Sequence, residues 1–216
     1  MIRAAAAWLC ALAFASIAQG ASGARQEFES VVSMQPDAVH GEHLFVTCAT
    51  CHGAYGGGTA DGRIPAIAGQ HLRVLVAQLV DFRHDKRWDA LMEHYSDNHN
   101  LGDAQDVADD AAYINHLPPV QSPGVGSGEH VSTGSRLYAR SCASCHGAAG
   151  EGDNTRGYPR LAGQHYGYLL RQMHDAVDGR RPNFSRAHIR RLARFERADF
   201  EGVADYLSRA AGREPP

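Results

Sequence analysis

The sequence predicts an all-α protein made of two tandem copies of one helical unit, and three observations carry that expectation. Residues 94 positions apart match without a gap: Cys48 with Cys142, His52 with His146, Pro65 with Pro159, AGQH at 68–71 with AGQH at 162–165, Leu75 with Leu169, Gln78 with Gln172. A match of that length is an internal duplication. Apolar residues recur at helical spacing, in Leu72, Leu75, Val76 and Leu79 and again in Leu169, Met173 and Val177, and no run alternates as a half-buried strand would. Between the copies stands PPVQSPGVGSG, residues 118–128, whose Pro, Gly and Ser mark a linker.

Each element follows in order. The chain opens MIRAAAAWLCALAFASIAQGASG. Arg3, then an apolar run, then small residues from Ala18 to Gly23, is the layout of a secretory signal peptide over residues 1–23. The run is too short and too Ala-rich for a spanning helix, an uncleaved anchor being the alternative. Cys10 belongs to this segment and leaves with it. The remaining 27–212 divides into a first domain at 27–117, the linker at 118–128 and a second domain at 129–212, each of ordinary domain size. Within a unit the expected order is a helical segment (HGEHLFVTC, TGSRLYARSC), a Gly-rich loop (53–64, 147–158), a helix opening after AGQ, and a closing helix. The closing helices are DAQDVADDAAYINHL, which stops before Pro118, and RADFEGVADYLSRAAG, which stops near Gly212.

Four cysteines remain, in two pairs. In an exported chain four cysteines first suggest two disulfides. Their context, CATCHGAYGGG and CASCHGAAGEG, says otherwise, because each pair is Cys-x-x-Cys-His, the attachment signature of a c-type haem. Two thiols three positions apart can bond the two vinyl groups of one porphyrin, and the next residue then lies under the iron as its proximal ligand. Cys48 and Cys51 would hold one haem c with His52 as ligand, and Cys142 and Cys145 a second with His146. A dithiol redox motif or a four-cysteine zinc site would explain neither histidine.

Both halves resemble class I cytochrome c domains, and the tandem resembles the diheme cytochrome c4 family of bacterial periplasms. The resemblance rests on CxxCHG, the Gly-rich loop, PxxAGQ, and the closing pattern seen as DFEGVADY (199–206) and, less cleanly, DVADDAAY (106–113). It covers about residues 38 to 212. It implies that the carbonyls of Pro65 and Pro159 take the imidazole N–H of the proximal histidines. It also implies a methionine as sixth ligand in a loop before the last helix, about seven residues ahead of its opening Leu-Ser. In the second copy Phe195 takes the Leu place and His188 stands seven residues back. Met173, the last methionine of the chain, lies mid-helix and reads as packing. Subtracting 94 gives His94, itself seven residues before Leu101, with Met92 and His99 as competitors at the first haem. Bis-histidine ligation through His52/His94 and His146/His188 is therefore expected. His71 and His165 are expected to cap a helix or touch a haem edge. His40, His43, His84, His116, His130 and His174 are expected at the surface.

A second imidazole in place of a thioether lowers the potential, and six-coordinate iron leaves no open site. The expected function is a periplasmic diheme electron carrier, or the electron-transfer subunit of an oxidoreductase or membrane respiratory complex. A haem enzyme oxidising a small sulfur anion such as thiosulfate is the alternative, disfavoured because no cysteine remains after the haem pairs; a gas sensor is a third. The net charge of −3 conceals an asymmetry: residues 24–127 carry 6 Lys/Arg against 14 Asp/Glu, and residues 128–216 carry 14 Arg against 10 Asp/Glu. Arg180, Arg181, Arg186, Arg190, Arg191, Arg194 and Arg197 bracket His188. Some would pair with haem propionates, and the rest would steer an acidic redox partner to the second domain. Export and the acidic first half argue against nucleic acid.

Overall fold

The computed structural model describes residues 23–212 and contains helices with no β-strand among them; the expected signal peptide lies outside these residues but for Gly23. The helices are α1 (23–33), α2 (Ala38–His52), α3 (Leu72–Arg83), α4 (Ala90–Ser96), α5 (Ala104–His116), α6 (Val131–Ser141), α7 (Ala143–His146), α8 (Tyr166–Val177), α9 (Arg186–Leu192) and α10 (Arg197–Ser208). No helix among the described residues is long and apolar enough to cross a membrane.

Each unit is built on a crossing of the helix that leads into its CxxCH motif with its last helix, α2 on α5 and α6 on α10. The crossings need glycine. A Cβ on Gly41 would run into the Asp109 carbonyl, and one on Gly134 into the Gly202 carbonyl, so the backbones could not approach. Beside each glycine an aromatic pair fills the angle, Phe45 on Tyr113 at 5.2 Å and Tyr138 on Tyr206 at 5.5 Å between centroids. Capping boxes start both closing helices: Asp103 with Asp106, and Glu196 with Asp199. In the first copy α2 runs unbroken through the CxxCH motif. In the second the helix stops at Ser141 and restarts at Ala143, because Gly134 to Cys142 is one residue longer than Gly41 to Cys48 and Cys142 absorbs the excess outside helical geometry.

Three features depart from the sequence expectations. Helix α1 packs Ala24 and Val31 into the first core, and its Glu27 accepts from Arg83 Nη1 at 2.6 Å while pairing with His84. The segments before the closing helices, expected as loops, are short helices, α4 and α9. The linker is pinned rather than loose. Gly126 and Gly128 donate to Asp205 at 3.0 and 2.6 Å, and Gly124 sits so close to the Ala60 carbonyl that a side chain would not fit.

The two units meet across a pseudo-twofold interface. Gln164 brackets Ala66 with two hydrogen bonds, at 2.7 and 3.0 Å, and Gln70 brackets Arg160 in the same way at 2.9 and 2.9 Å. His165 Nε2–H donates to the Gly57 carbonyl at 2.6 Å, and His71 Nε2–H to the Glu151 carbonyl at 2.8 Å. Every partner in one set lies 94 residues from its counterpart in the other. Further along the same face Arg87 and Arg181, another 94-residue pair, both donate to Gln78 and Gln172.

Two candidate haem sites

The first site begins at the last turn of α2. His52 is buried at 7% exposure, and its Nδ1–H donates to the Pro65 carbonyl at 3.0 Å. His146, at the end of α7 and 9% exposed, donates to the Pro159 carbonyl at 3.2 Å. Each bond fixes the tautomer in which Nε2 is bare and holds the ring plane, which is what a metal ligand requires. Burial lowers both pKa values, so both rings are neutral donors.

The four cysteines are unbridged. Burial, with Asp110 beside it, pushes the Cys48 thiol up to about 12; burial pushes Cys142 up to about 11 against the field of Arg191. A redox-active or zinc-binding CxxC needs the thiolate, which these environments oppose. Among the described residues, no cysteine belongs to a cluster of three or more groups that could bind a metal. These pairs suit thioether bonds to a haem, which leave sulfur uncharged.

On the far side of the second site the His188 ring lies 6.0 Å from the His146 ring, centroid to centroid. Metal–imidazole bonds of about 2.0–2.1 Å on both sides, plus about 1 Å from each nitrogen to its ring centre, give a separation of about 6 Å. Two imidazoles facing one iron therefore fit this spacing. Phe184 packs edge-on to His188 at 4.7 Å, and the Ser185 hydroxyl caps the His188 N–H. Burial and the positive field of Arg181 and Arg191, with His146 opposite, push the His188 pKa down to about 4, so it too is neutral. Arg160, next to Pro159 and half-buried, keeps a buried Nε without a protein acceptor, a donor of the kind a propionate takes.

The first site is not a copy of this on its distal side. His94 is exposed, and its side chain and carbonyl meet Asn100. His99 is exposed, whereas Met92 is half-buried. The 94-residue offset slips here. α3 and α8 keep it, but α4 opens at Ala90 and α9 at Arg186, because the loop before α9 is two residues longer. Counted from the N-caps Asp89 and Ser185, the residue in register with His188 is Met92, and His94 pairs with Arg190.

Other residues depart from their sequence reading. His71 and His165 stand at N-cap positions but make no side-chain cap; they bridge the units instead. Of the seven arginines around His188, Arg181 lies in the interface and Arg180 pairs with Asp175 and Asp178. Arg186, Arg190, Arg191, Arg194 and Arg197 are exposed. Arg191 donates to the Ser141 carbonyl at 2.7 Å and with Arg140 and Arg194 lines an open groove of about 510 Å³ beside Cys142.

Comparison with known proteins gives the family. The cytochrome c family model matches residues 38–118 and again 131–210. Cytochrome c4 of Pseudomonas aeruginosa is 32% identical over 181 residues, covering 79% of this chain and 87% of that protein. A thiosulfate dehydrogenase electron acceptor of Stutzerimonas stutzeri is 30% identical over 205 residues, covering 85% of this chain and 92% of that protein. The crystal structure of reduced cytochrome c4 from Pseudomonas stutzeri superposes with a TM-score of 0.72 at 27% identity, covering 81% of this chain and 98% of that one. With a haem unit matched on either side of the linker, the chain belongs to the cytochrome c family as a diheme, cytochrome c4-like protein carrying two covalently bound haem c groups.

Proposed function

We propose that the protein is a periplasmic electron carrier whose two haem sites differ in their axial ligands. Cys48 and Cys51 hold the first haem over His52, with Met92 as sixth ligand; Cys142 and Cys145 hold the second between His146 and His188. The observation that carries this is the 6.0 Å spacing of the His146 and His188 rings. A site closed on both faces has no open position for a substrate, so its residues support one-electron exchange and not chemistry at iron. A thioether favours ferrous iron more than an imidazole does, so the second site is the lower in potential. Electrons would enter at the second domain and leave from the first.

The exposed arginines of α9 and the groove beside Cys142 suit an acidic electron donor. The kinship with a thiosulfate dehydrogenase electron acceptor points to a dehydrogenase of a small oxidisable anion as that donor, with this chain taking the electrons and not binding the anion. Adding thiosulfate, sulfite or cyanide to the oxidised protein tests this. The spectra of both haems should stay unchanged. Displacement of an axial ligand by thiosulfate, followed by reduction, would make the protein the enzyme itself.

A further inference from the structure

The closing helices of the two units are aligned by their capping boxes, and eleven consecutive positions then correspond, from Asp103/Glu196 to Tyr113/Tyr206. In that register the apolar Val203 of the second core answers to Asp110 in the first. Asp110 has no solvent exposure. Its Oδ1 has no partner, and the nearest donor to Oδ2 is the Cys48 thiol, 3.9 Å away. A thioether has no S–H. Once Cys48 carries its haem, neither carboxyl oxygen would have a donor, and the group would stand beside the thioether that Cys48 forms.

The titratable groups on the helices packed around it are engaged elsewhere or exposed. On α2, His40 meets Asp109, His52 meets the Pro65 carbonyl, and Glu42, His43 and Cys51 are exposed. On α3, Arg73 lies over the Phe28 ring, Asp81 accepts from Asn183, and Arg83 holds Glu27. On α5, Asp106 accepts from the Asp103 N–H, Asp109 from the Asp37 N–H and Gln105, Tyr113 packs on Phe45, and His116 bonds the Ala112 carbonyl. On α1, Glu27 is held by Arg83, and Arg25 and Glu29 are exposed, so the iron of a haem held at His52 would be the main charge that can change beside Asp110.

We propose that Asp110 is a redox-linked proton site: it takes one proton from solvent when the first haem gains an electron from its donor, and returns it when that electron leaves. Burial without donors opposes the carboxylate and pushes its pKa up to about 7. A ferric haem, one positive charge richer than a ferrous one, holds the carboxylate ionised, and reduction removes that hold. Coupling of this kind is reciprocal, so protonation must raise the first haem's potential by as much as reduction raises the affinity for the proton.

The inference rests on attachment of a haem at Cys48, which an intact mass checks separately: a one-haem mass would remove the site, not merely the proton. The test is a spectroelectrochemical titration of the two-haem protein, resolved by haem, across about pH 5 to 9 to bracket a group near 7. The first haem's potential should fall more steeply with pH than the second's, the excess approaching about 59 mV per tenfold change in proton concentration. Asp110→Asn should abolish the excess and leave the second haem as it was. Equal slopes at both haems, or an excess that survives Asp110→Asn, would assign the proton to the propionates and overturn the proposal. Should Asp110→Asn fail to load haem, the reduced-minus-oxidised infrared spectrum of the unmutated protein decides. A protonated-carboxyl C=O band growing in on reduction at neutral pH supports Asp110, and a spectrum without one sinks it.

Discussion

Exchanging His188 for methionine isolates the second site's distal ligand. His188 is the third residue of α9, half-buried, packed by Phe184 at 4.7 Å and with its ring 6.0 Å from that of His146. Methionine is about as long, and Met92 occupies the same helical position in α4. Its extra rotatable bonds cost about 1 kcal/mol of side-chain entropy, too little to prevent ligation. Axial ligands spread haem potentials over about 0.8 V. Replacing one of two should use a fraction of that range, on the order of 0.1 V or more, and each 100 mV is about 2.3 kcal/mol per electron. His188→Met should therefore raise the second haem's potential by at least about 0.1 V in a spectroelectrochemical titration and add one haem's worth of the long-wavelength methionine–iron band. An unchanged potential, or an unmutated protein already showing that band at two-haem intensity, would refute the assignment of His188.

The first site should respond in the opposite sense. Met92→His should lower that haem's potential and remove the methionine–iron band of the unmutated protein, while His94→Ala should change neither; the reverse pattern would restore His94 as ligand. Gln164→Ala removes both hydrogen bonds to Ala66 across the interface. At about 1 kcal/mol each it should cost about 2 kcal/mol in denaturant unfolding, and an effect below about 0.5 kcal/mol would mean the interface does not depend on it. Replacing Arg190, Arg191 and Arg194 with Ala should slow reduction by an acidic donor at low salt and flatten the salt dependence, without moving either potential. A rate that ignores the triple change would leave these arginines as a solvated helix face.

What was legible in the sequence was what covalent chemistry or exact repetition enforces. Attachment through two thioethers demands Cys-x-x-Cys with a histidine beside it, so the two motifs at 48–52 and 142–146 stand out at once and point to the family. The all-α class followed from periodicity and the two-unit plan from the duplication. Helices α4 and α9 were not legible, because a seven-residue segment has little periodicity, and its start is set by an N-cap, Asp89 or Ser185, whose residue type is equally at home in a loop. Missing those caps hid the two-residue slip that moves the counterpart of His188 from His94 to Met92. Helix α1 was missed for a similar reason: only Ala24 and Val31 of it are buried.

A duplicated sequence also hides which copy a side chain serves. AGQH recurs in both units, and within one unit it reads as part of the haem pocket or as a helix cap. In three dimensions Gln70, His71, Gln164 and His165 each reach the opposite unit and bond backbone that its own copy does not touch. A signal was available: a pocket or cap explains one residue, whereas a Gln–His pair kept at both copies supplies donors beyond what either needs, and donors at the start of a buried helix must find acceptors somewhere. Where the copies differ, the same reasoning runs in reverse. DFEGVADY and DVADDAAY diverge at Val203 and Asp110, on helices whose frames are otherwise matched by cap, crossing and aromatic pair. A core tolerates a carboxylate in place of a valine only at a cost of several kcal/mol, unless the group is neutral when the fold needs it so. With no donor offered to Asp110, neutrality is the remaining solution, and the haem beside Cys48 is what can make that neutrality conditional on the electron.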